Sequence, residues 1–218
     1  MADFETMRTN MVESQIRPNR VTDERIITAM EQLPRERFVP DHLKRLAYVD
    51  EDLEIGGGRT MLEPMVLARL LETADVQPDD VGLVVGAGPG YACAVMAYLA
   101  ATVVGLESDT ALASRAEGAL DALSVDNAAI VRGELTTGYP SQGPYNVILV
   151  NGAVSEIPDR LREHLAEEGR LVTLVREGPG LGKGTVVQRF GDAYGERHVF
   201  DAAAPILPGF ERAPGFVF

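Results

Sequence analysis

Residues 81–107 read VGLVVGAGPGYACAVMAYLAATVVGLE, and this stretch decides the fold class. It opens with a short valine-rich run, turns at a glycine-rich sequence, continues through small residues, and ends in a second β-branched run before an acid. This order predicts a buried strand, a glycine turn, a helix and a second buried strand. No charged residue occurs from residue 81 to 106, but the glycines divide the stretch into pieces too short to cross a bilayer, so we expect no membrane span.

The same alternation continues toward the carboxyl terminus. Short β-rich runs predict strands at residues 82–85, 102–106, 129–131, 146–150 and 170–175. Helical spacing is seen in two intervening segments, one with Leu112, Ala116, Ala119 and Leu123, the other with Ile157, Leu161 and Leu165. Continuous apolar strands separated by helices indicate a mostly parallel sheet covered on both faces. Residues 185–190 and 197–200 have no helix-length gap between them and predict antiparallel strands at the carboxy-terminal edge.

The first 75 residues follow a different, helical pattern. Thr22-Asp23 can cap a helix with apolar positions at 26, 27, 30 and 33, and Pro64 suits the first turn of another. An irregular segment ending in three glycines, residues 56–58, lies between them. We therefore predict an α/β fold in which residues 1–75 form a helical extension and substrate-side segment, and residues 76–218 form the main domain of one structural unit.

Composition narrows the function classes. The 218 residues carry 33 acidic and 20 basic side chains, a net charge of −13, which disfavours nucleic acid and anionic membrane surfaces as partners. The single cysteine, Cys93, fits a reducing cytoplasm and forms no internal disulfide. Three widely separated histidines lack the spacing of metal ligands, so we predict no metal site.

The glycine turn and the acid beyond it indicate a nucleoside site. Gly86, Gly88 and Gly90 follow the first strand in a G-x-G-x-G pattern, whereas a dinucleotide site would need glycine at the position of Tyr91. Such glycines allow close backbone approach, and the helix amino terminus offers free N–H groups. Glu107 ends the second strand, where its carboxylate can accept hydrogen bonds from both hydroxyls of a ribose.

Several further motifs make the chain resemble the protein-L-isoaspartate O-methyltransferase family of class I S-adenosylmethionine-dependent methyltransferases. The most specific is LPRERFVP at residues 33–40. It is followed by Ala47-Tyr48 with Asp50, by IGGGRT at residues 55–60, and by the glycine turn. Arg132-Gly133-Glu134, GYP at residues 138–140 and PYN at residues 144–146 continue the family order. The resemblance covers residues 10–175.

The resemblance implies a seven-stranded Rossmann-like sheet and methyl transfer from S-adenosylmethionine to the carboxylate of isoaspartyl residues, with S-adenosylhomocysteine as product. It implies isoaspartyl-containing peptides or proteins as partners, and we expect a monomer or weak dimer. The implied cofactor-binding residues are Val85, Gly86, Ala87, Gly88, Gly90, Tyr91, Glu107, Ser108, Glu134 and Leu135. The implied substrate-side residues are Gly58, Leu62 and Glu63, and Thr60 is the candidate catalytic residue.

Three positions depart from the family pattern. Leu62 stands where the family has a serine, and leucine cannot form a hydrogen bond. Val84 replaces an acid two residues before the first glycine, and Glu134 replaces an aspartate with a side chain one methylene longer. Two alternatives to isoaspartate repair therefore stay open: a catalytically weakened S-adenosylmethionine-binding module, and a methyltransferase with a small-molecule substrate.

Overall fold

A computed structural model describes residues 3–212. Its centre is a seven-stranded sheet with the strand order β5-β4-β3-β6-β7-β8-β9. The strands are β3 (Val81–Val85), β4 (Thr102–Glu107), β5 (Ala128–Arg132), β6 (Tyr145–Val154), β7 (Leu165–Val175), β8 (Gly182–Phe190) and β9 (Ala193–Ala202). Strands β3 to β7 are parallel, whereas β8 is antiparallel to both of its neighbours. The predicted α/β class, with a mostly parallel sheet and antiparallel carboxy-terminal strands, is confirmed.

Helices cover both faces of this sheet. They are α1 (Phe4–Met11), α2 (Glu24–Gln32), α3 (Pro64–Ala74), α4 (Tyr91–Leu99), α5 (Thr110–Ala122) and α6 (Asp159–Glu163). Asp23 caps α2 by accepting a hydrogen bond from the Arg25 N–H, and Pro64 occupies the first turn of α3, as the sequence predicted. Two buried apolar clusters result, one on each face, which is why the central strands are apolar throughout. Among the described residues, no helix is long and apolar enough to cross a membrane.

Two local predictions were wrong. The helical pattern at positions 157, 161 and 165 gives only the five-residue α6, because Pro158 precedes its first turn and Leu165 already pairs with Tyr145 as the first residue of β7. The segment before Gly57 is also more ordered than predicted. It forms a two-stranded antiparallel hairpin of β1 (Leu53–Gly56) and β2 (Arg59–Met61), with its glycine turn at the tip. The division of the chain at residue 75 stays a prediction.

Candidate active site

The candidate site lies at the carboxyl ends of β3, β4 and β6. In this sheet the chain crosses from β3 to β4 on one side and later returns to place β6 on the other, so β3 marks the topological switch point. Open α/β sheets bind ligands in the crevice outside the strand ends at such a point. The glycine turn after β3, Glu107 at the end of β4 and Asn151 within β6 all converge there.

The glycine turn has the backbone conformation that its sequence demands. Gly86, Gly88 and Gly90 have φ angles of +79°, +57° and +99°, a region that side chains with a Cβ rarely adopt. Gly90 also packs tightly, since a Cβ there would stand 3.1 Å from the Cβ of Ala116. The turn delivers the chain into α4, whose first-turn N–H groups have no carbonyl partner within the helix. This arrangement fits an anionic or strongly polar ligand group.

Glu107 is a fully buried carboxylate turned toward the glycine turn. Its Oε2 atom accepts a hydrogen bond from the Gly88 N–H at 2.7 Å. Its Oε1 atom accepts from the N–H groups of Ser108 and Asp109 at 2.8 and 3.0 Å. Backbone donors from two segments thus hold the carboxylate beside the turn. A solvated strand-end acid would be exposed and unrestrained, so the buried position supports the predicted binding role for Glu107.

A residue without a predicted role, Arg59, completes the coordination of Glu107. Its Nη1 donates to Glu107 Oε1 at 2.7 Å, and the Arg59 side chain is only 3% exposed. The Nη2 atom lies 2.7 Å from the position that a Cβ on Gly86 would take, so the guanidinium also rests against the glycine turn. Its contact with Glu107 joins residues 48 positions apart, so no local sequence pattern predicted it.

Asn151 and Arg35 were also missed from the sequence. The Asn151 amide donates to the Gly86 carbonyl at 3.0 Å and so ties β6 to the turn.

Arg35 is fully buried and donates to the carbonyls of Ala47 and Leu62 at 2.7 and 2.6 Å. Its guanidinium carbon lies 4.8 Å from the centre of the Tyr91 ring. Burial lowers the pKa of Arg35. Arg35, the first of the two arginines in the LPRERFVP motif, therefore fixes the segment that carries Leu62.

The hairpin side of the site holds the predicted catalytic and substrate-side residues. Half-buried Thr60 and buried Leu62 line a small cavity with Ala87, Tyr91 and Asn151. Structure and sequence agree that Leu62 offers no polar group to this cavity, since its side chain is apolar and 2% exposed. The Tyr91 hydroxyl is buried without a hydrogen-bond partner in the described part of the chain. Gly58 lies on the exposed tip of the hairpin with φ +68°.

Glu63 has an unusual environment next to Leu62. Its backbone N–H donates to Asp52 Oδ1 at 2.8 Å. Burial, followed by the nearby carboxylates of Asp50 and Asp52, raises the pKa of Glu63 to about 7. Burial likewise raises the pKa of Asp52. At neutral pH Glu63 is therefore partly protonated, and this part of the site changes charge in the physiological range.

The remaining predicted residues lie around the turn at different depths. Val85, Ala87, Tyr91 and Leu135 are buried, Ser108 and Glu134 are exposed. The Glu134 carboxylate accepts a hydrogen bond from the hydroxyl of Thr136, which is not a predicted site residue, at 2.8 Å. Val84 is fully buried in β3, where the family acid would have required a polar partner. Ser108 thus stays with the group at the turn through its N–H bond to Glu107, whereas Glu134 lies on the surface.

Comparison with known proteins identifies the family. The family model described as protein-L-isoaspartate(D-aspartate) O-methyltransferase matches residues 6–197. The chain belongs to this family. The protein-L-isoaspartate O-methyltransferase of Methanoregula boonei is 39% identical over 192 residues, which is 88% of each chain. That of Methanoculleus marisnigri is 42% identical over 168 residues, 77% of this chain and 76% of the relative.

Solved structures agree on the fold. A protein-L-isoaspartate O-methyltransferase superposes with a TM-score of 0.80 at 23% identity, covering 93% of this chain and 66% of that one. A protein of the same description from Plasmodium falciparum, in complex with S-adenosyl-L-homocysteine, gives a TM-score of 0.77 at 21% identity over 95% and 99% of the two chains. Membership makes this chain an S-adenosylmethionine-dependent protein carboxyl methyltransferase, as the motifs predicted.

Proposed function

We propose that this chain methylates the free carboxylate of isoaspartyl residues in damaged proteins, using a cofactor held between the glycine turn and Glu107. The observation that carries the proposal is the buried Glu107 carboxylate, fixed by backbone donors beside three glycines with positive φ. Family membership supplies the reaction class. The residues present fit S-adenosylmethionine, because the site offers an acceptor for ribose hydroxyls, open backbone for close approach and a helix amino terminus.

Each part of the cofactor has a proposed neighbour. Gly86, Gly88 and Gly90 would hold the amino-acid end, together with the adjacent Val85, Ala87 and Tyr91. Glu107 and the adjacent Ser108 would hold the ribose. Glu134 and Leu135 would face the adenine, although Glu134 is exposed and would need to turn toward the ligand.

The chemistry asked of the protein is mainly alignment. When bound, S-adenosylmethionine supplies a methyl group made electrophilic by its sulfonium. A substrate carboxylate is already ionised and nucleophilic at neutral pH, so no strong general base is needed. Thr60 in β2 and Leu62 just after it, whose carbonyl Arg35 binds, would exclude water and direct the carboxylate oxygen. Positioning of this kind contributes much of the rate enhancement.

Substrate selection would occur at the hairpin and the acids beside it. Gly58 allows an extended peptide to approach the tip, and Glu63 lies next to Leu62. A partly protonated Glu63 repels a substrate carboxylate less than an ionised one would. We propose isoaspartyl polypeptides as the substrate class, a monomer or weak dimer as the working form, and the cytoplasm as the compartment, the last from the single cysteine.

The test uses methyl-labelled S-adenosylmethionine and two matched peptides, one with isoaspartate and one with aspartate at the same position. The expected result is base-labile methyl ester on the isoaspartyl peptide alone. Equal labelling of both peptides, or label on neither while S-adenosylhomocysteine still binds in a calorimetric titration, would reject the proposed substrate.

One observation favours a weakened site as the second candidate. Leu62 places an apolar side chain where the family has a hydroxyl, and the neighbouring Tyr91 hydroxyl has no partner in the described chain. Leu62→Ser tests this directly, with Leu62→Ala as the matched control that shortens the side chain without adding a hydroxyl. A gain in kcat from serine but not alanine would support weakened catalysis. No gain from either would mean that the substrate pocket has changed, which favours a small-molecule substrate.

A further inference from the structure

One carboxylate oxygen of Glu107, Oε1, has no acceptor position left in the free protein. A carboxylate offers about four lone-pair positions. The donors are unevenly shared between the two oxygens: Oε2 accepts only from the Gly88 N–H, whereas Oε1 accepts from the N–H groups of Ser108 and Asp109 and from Arg59 Nη1 at 2.7 Å. The three backbone donors belong to the strand end and turn that define the site. Arg59 is the only side-chain cation of the four and belongs to the separate β1–β2 hairpin.

Two further features mark Arg59 as more than a structural partner. Its Nε is buried and lacks a hydrogen-bond partner in the described chain, so the pairing with Glu107 leaves part of the guanidinium unsatisfied. Its Nη2 lies against Gly86, at the part of the turn where the amino-acid end of a cofactor would lie. An amino-acid end carries a carboxylate, for which a guanidinium is the preferred bidentate partner.

We propose that Arg59 is a cofactor-selecting residue that exchanges one carboxylate for another. In the free protein it pairs with Glu107. When a nucleoside with an amino-acid tail binds, the ribose hydroxyls replace Arg59 on Glu107, and the guanidinium pairs with the carboxylate of the tail. The inference rests on the proposed function, because it assumes that Glu107 binds the ribose.

This exchange has a clear consequence for ligand choice. A ligand with the tail carboxylate loses the Arg59–Glu107 pair but gains a new one. A nucleoside without the tail also breaks the pair, but it offers Arg59 no new carboxylate. Arg59 should therefore make the protein prefer S-adenosylhomocysteine over 5′-methylthioadenosine, which has the same ribose and adenine but no carboxylate. The partner of Arg59 in the β1–β2 hairpin would thus depend on whether the bound ligand carries the tail carboxylate.

The experiment measures both dissociation constants by calorimetric titration in wild type, Arg59→Gln and a control, Arg17→Gln. The control removes an equal charge from an exposed ion pair with Glu13 and Glu24. A hydrogen bond to a charged group typically changes affinity by about tenfold or more. We expect Arg59→Gln to lower the preference for S-adenosylhomocysteine by at least about tenfold, to bind 5′-methylthioadenosine at least as tightly as wild type, and the control to change neither.

Four results would overturn the proposal. Equal loss of both ligands in Arg59→Gln would mean a structural role, and equal gain would mean that Arg59 only blocks the ribose site. Binding of neither ligand by wild type would reject the proposed function as well. If Glu107→Gln loses both ligands while Arg59→Gln keeps the wild-type preference, the proposed cofactor site stands and this inference alone fails.

A second measurement keeps the proposal testable if Arg59→Gln does not fold. The side-chain ¹⁵N signals of arginine are recorded in wild type, with Arg59 assigned by its disappearance in Arg59→Lys. We expect the Arg59 Nε–H signal to shift with either ligand, and to become protected from exchange with water only with S-adenosylhomocysteine. An Arg59 signal that is identical in the free and S-adenosylhomocysteine-bound protein would overturn the exchange.

Discussion

Replacing Glu107 by glutamine should destabilise the protein far more than an ordinary acid-to-amide change. Glu107 and Arg59 are 0% and 3% exposed and 2.7 Å apart, so the substitution leaves a buried guanidinium without its counter-charge. It also turns an N–H₂ group toward backbone donors that now face an oxygen. Removing one partner of a buried ion pair typically costs about 3–5 kcal/mol. We expect a loss of this size in the free energy of unfolding.

Urea denaturation followed by circular dichroism measures this loss by linear extrapolation. Arg59→Gln alone should cost less, about 1–3 kcal/mol, because three backbone N–H groups still solvate the Glu107 carboxylate. The double variant should be more stable than the sum of the single changes predicts, by at least about 1 kcal/mol. Glu117→Gln on the exposed face of α5 is the control, with less than about 0.5 kcal/mol expected. A Glu107→Gln loss below about 1 kcal/mol, or strict additivity, would show that the buried Arg59–Glu107 pair does not contribute coupled stability.

Three further changes test other parts of the site. The folded-state pKa of Glu63 is raised to about 7, so the stability from its protonated form is lost as pH rises from about 4.5 through 7. Glu63→Gln should remove about 1–2 kcal/mol of the difference in unfolding free energy between pH 5 and pH 8. An unchanged difference would contradict this role of Glu63. Gly105→Ala should lower the free energy of unfolding by about 1–3 kcal/mol in the same assay, because its Cβ would meet the side chains of Ile130 and Cys93 at 2.6 and 2.7 Å. A neutral effect would show that the sheet relaxes freely. Arg35→Met should leave the carbonyls of Ala47 and Leu62 unpaired and so speed amide hydrogen exchange in the β1–β2 hairpin. Unchanged exchange would mean that Arg35 does not hold the hairpin.

Much of the fold could be predicted because its central strands are buried on both sides. Such strands are continuous apolar runs, and the predicted strand at residues 102–106 differs from β4 by one residue. Where strand length depends on pairing rather than burial, prediction was poorer. The strand predicted at residues 146–150 extends to Val154 as β6, and the one predicted at 170 begins at Leu165, because each continues along its partner past a bulge.

The site was predictable in part for a related reason. Gly86, Gly88, Gly90 and Glu107 occupy positions that backbone geometry restricts, so their residue types carry information in the sequence itself. Arg59, Asn151 and Arg35 act through contacts between segments 48, 65 and 27 positions apart. No local pattern specifies such contacts. Leu62 was noticed only because it departs from the family motif, and its position beside the small cavity required the folded structure.

The most direct test of the proposed role of Glu107 compares wild type, Glu107→Gln and Glu117→Gln. For each protein, kcat/KM for methyl transfer to an isoaspartyl peptide and the dissociation constant of S-adenosylhomocysteine are measured. We expect ester on the isoaspartyl peptide and none on the aspartyl peptide. Both cofactor affinity and kcat/KM should fall at least about tenfold in Glu107→Gln and stay unchanged in Glu117→Gln. Wild-type cofactor affinity and turnover in Glu107→Gln would show that this buried carboxylate does not hold the cofactor.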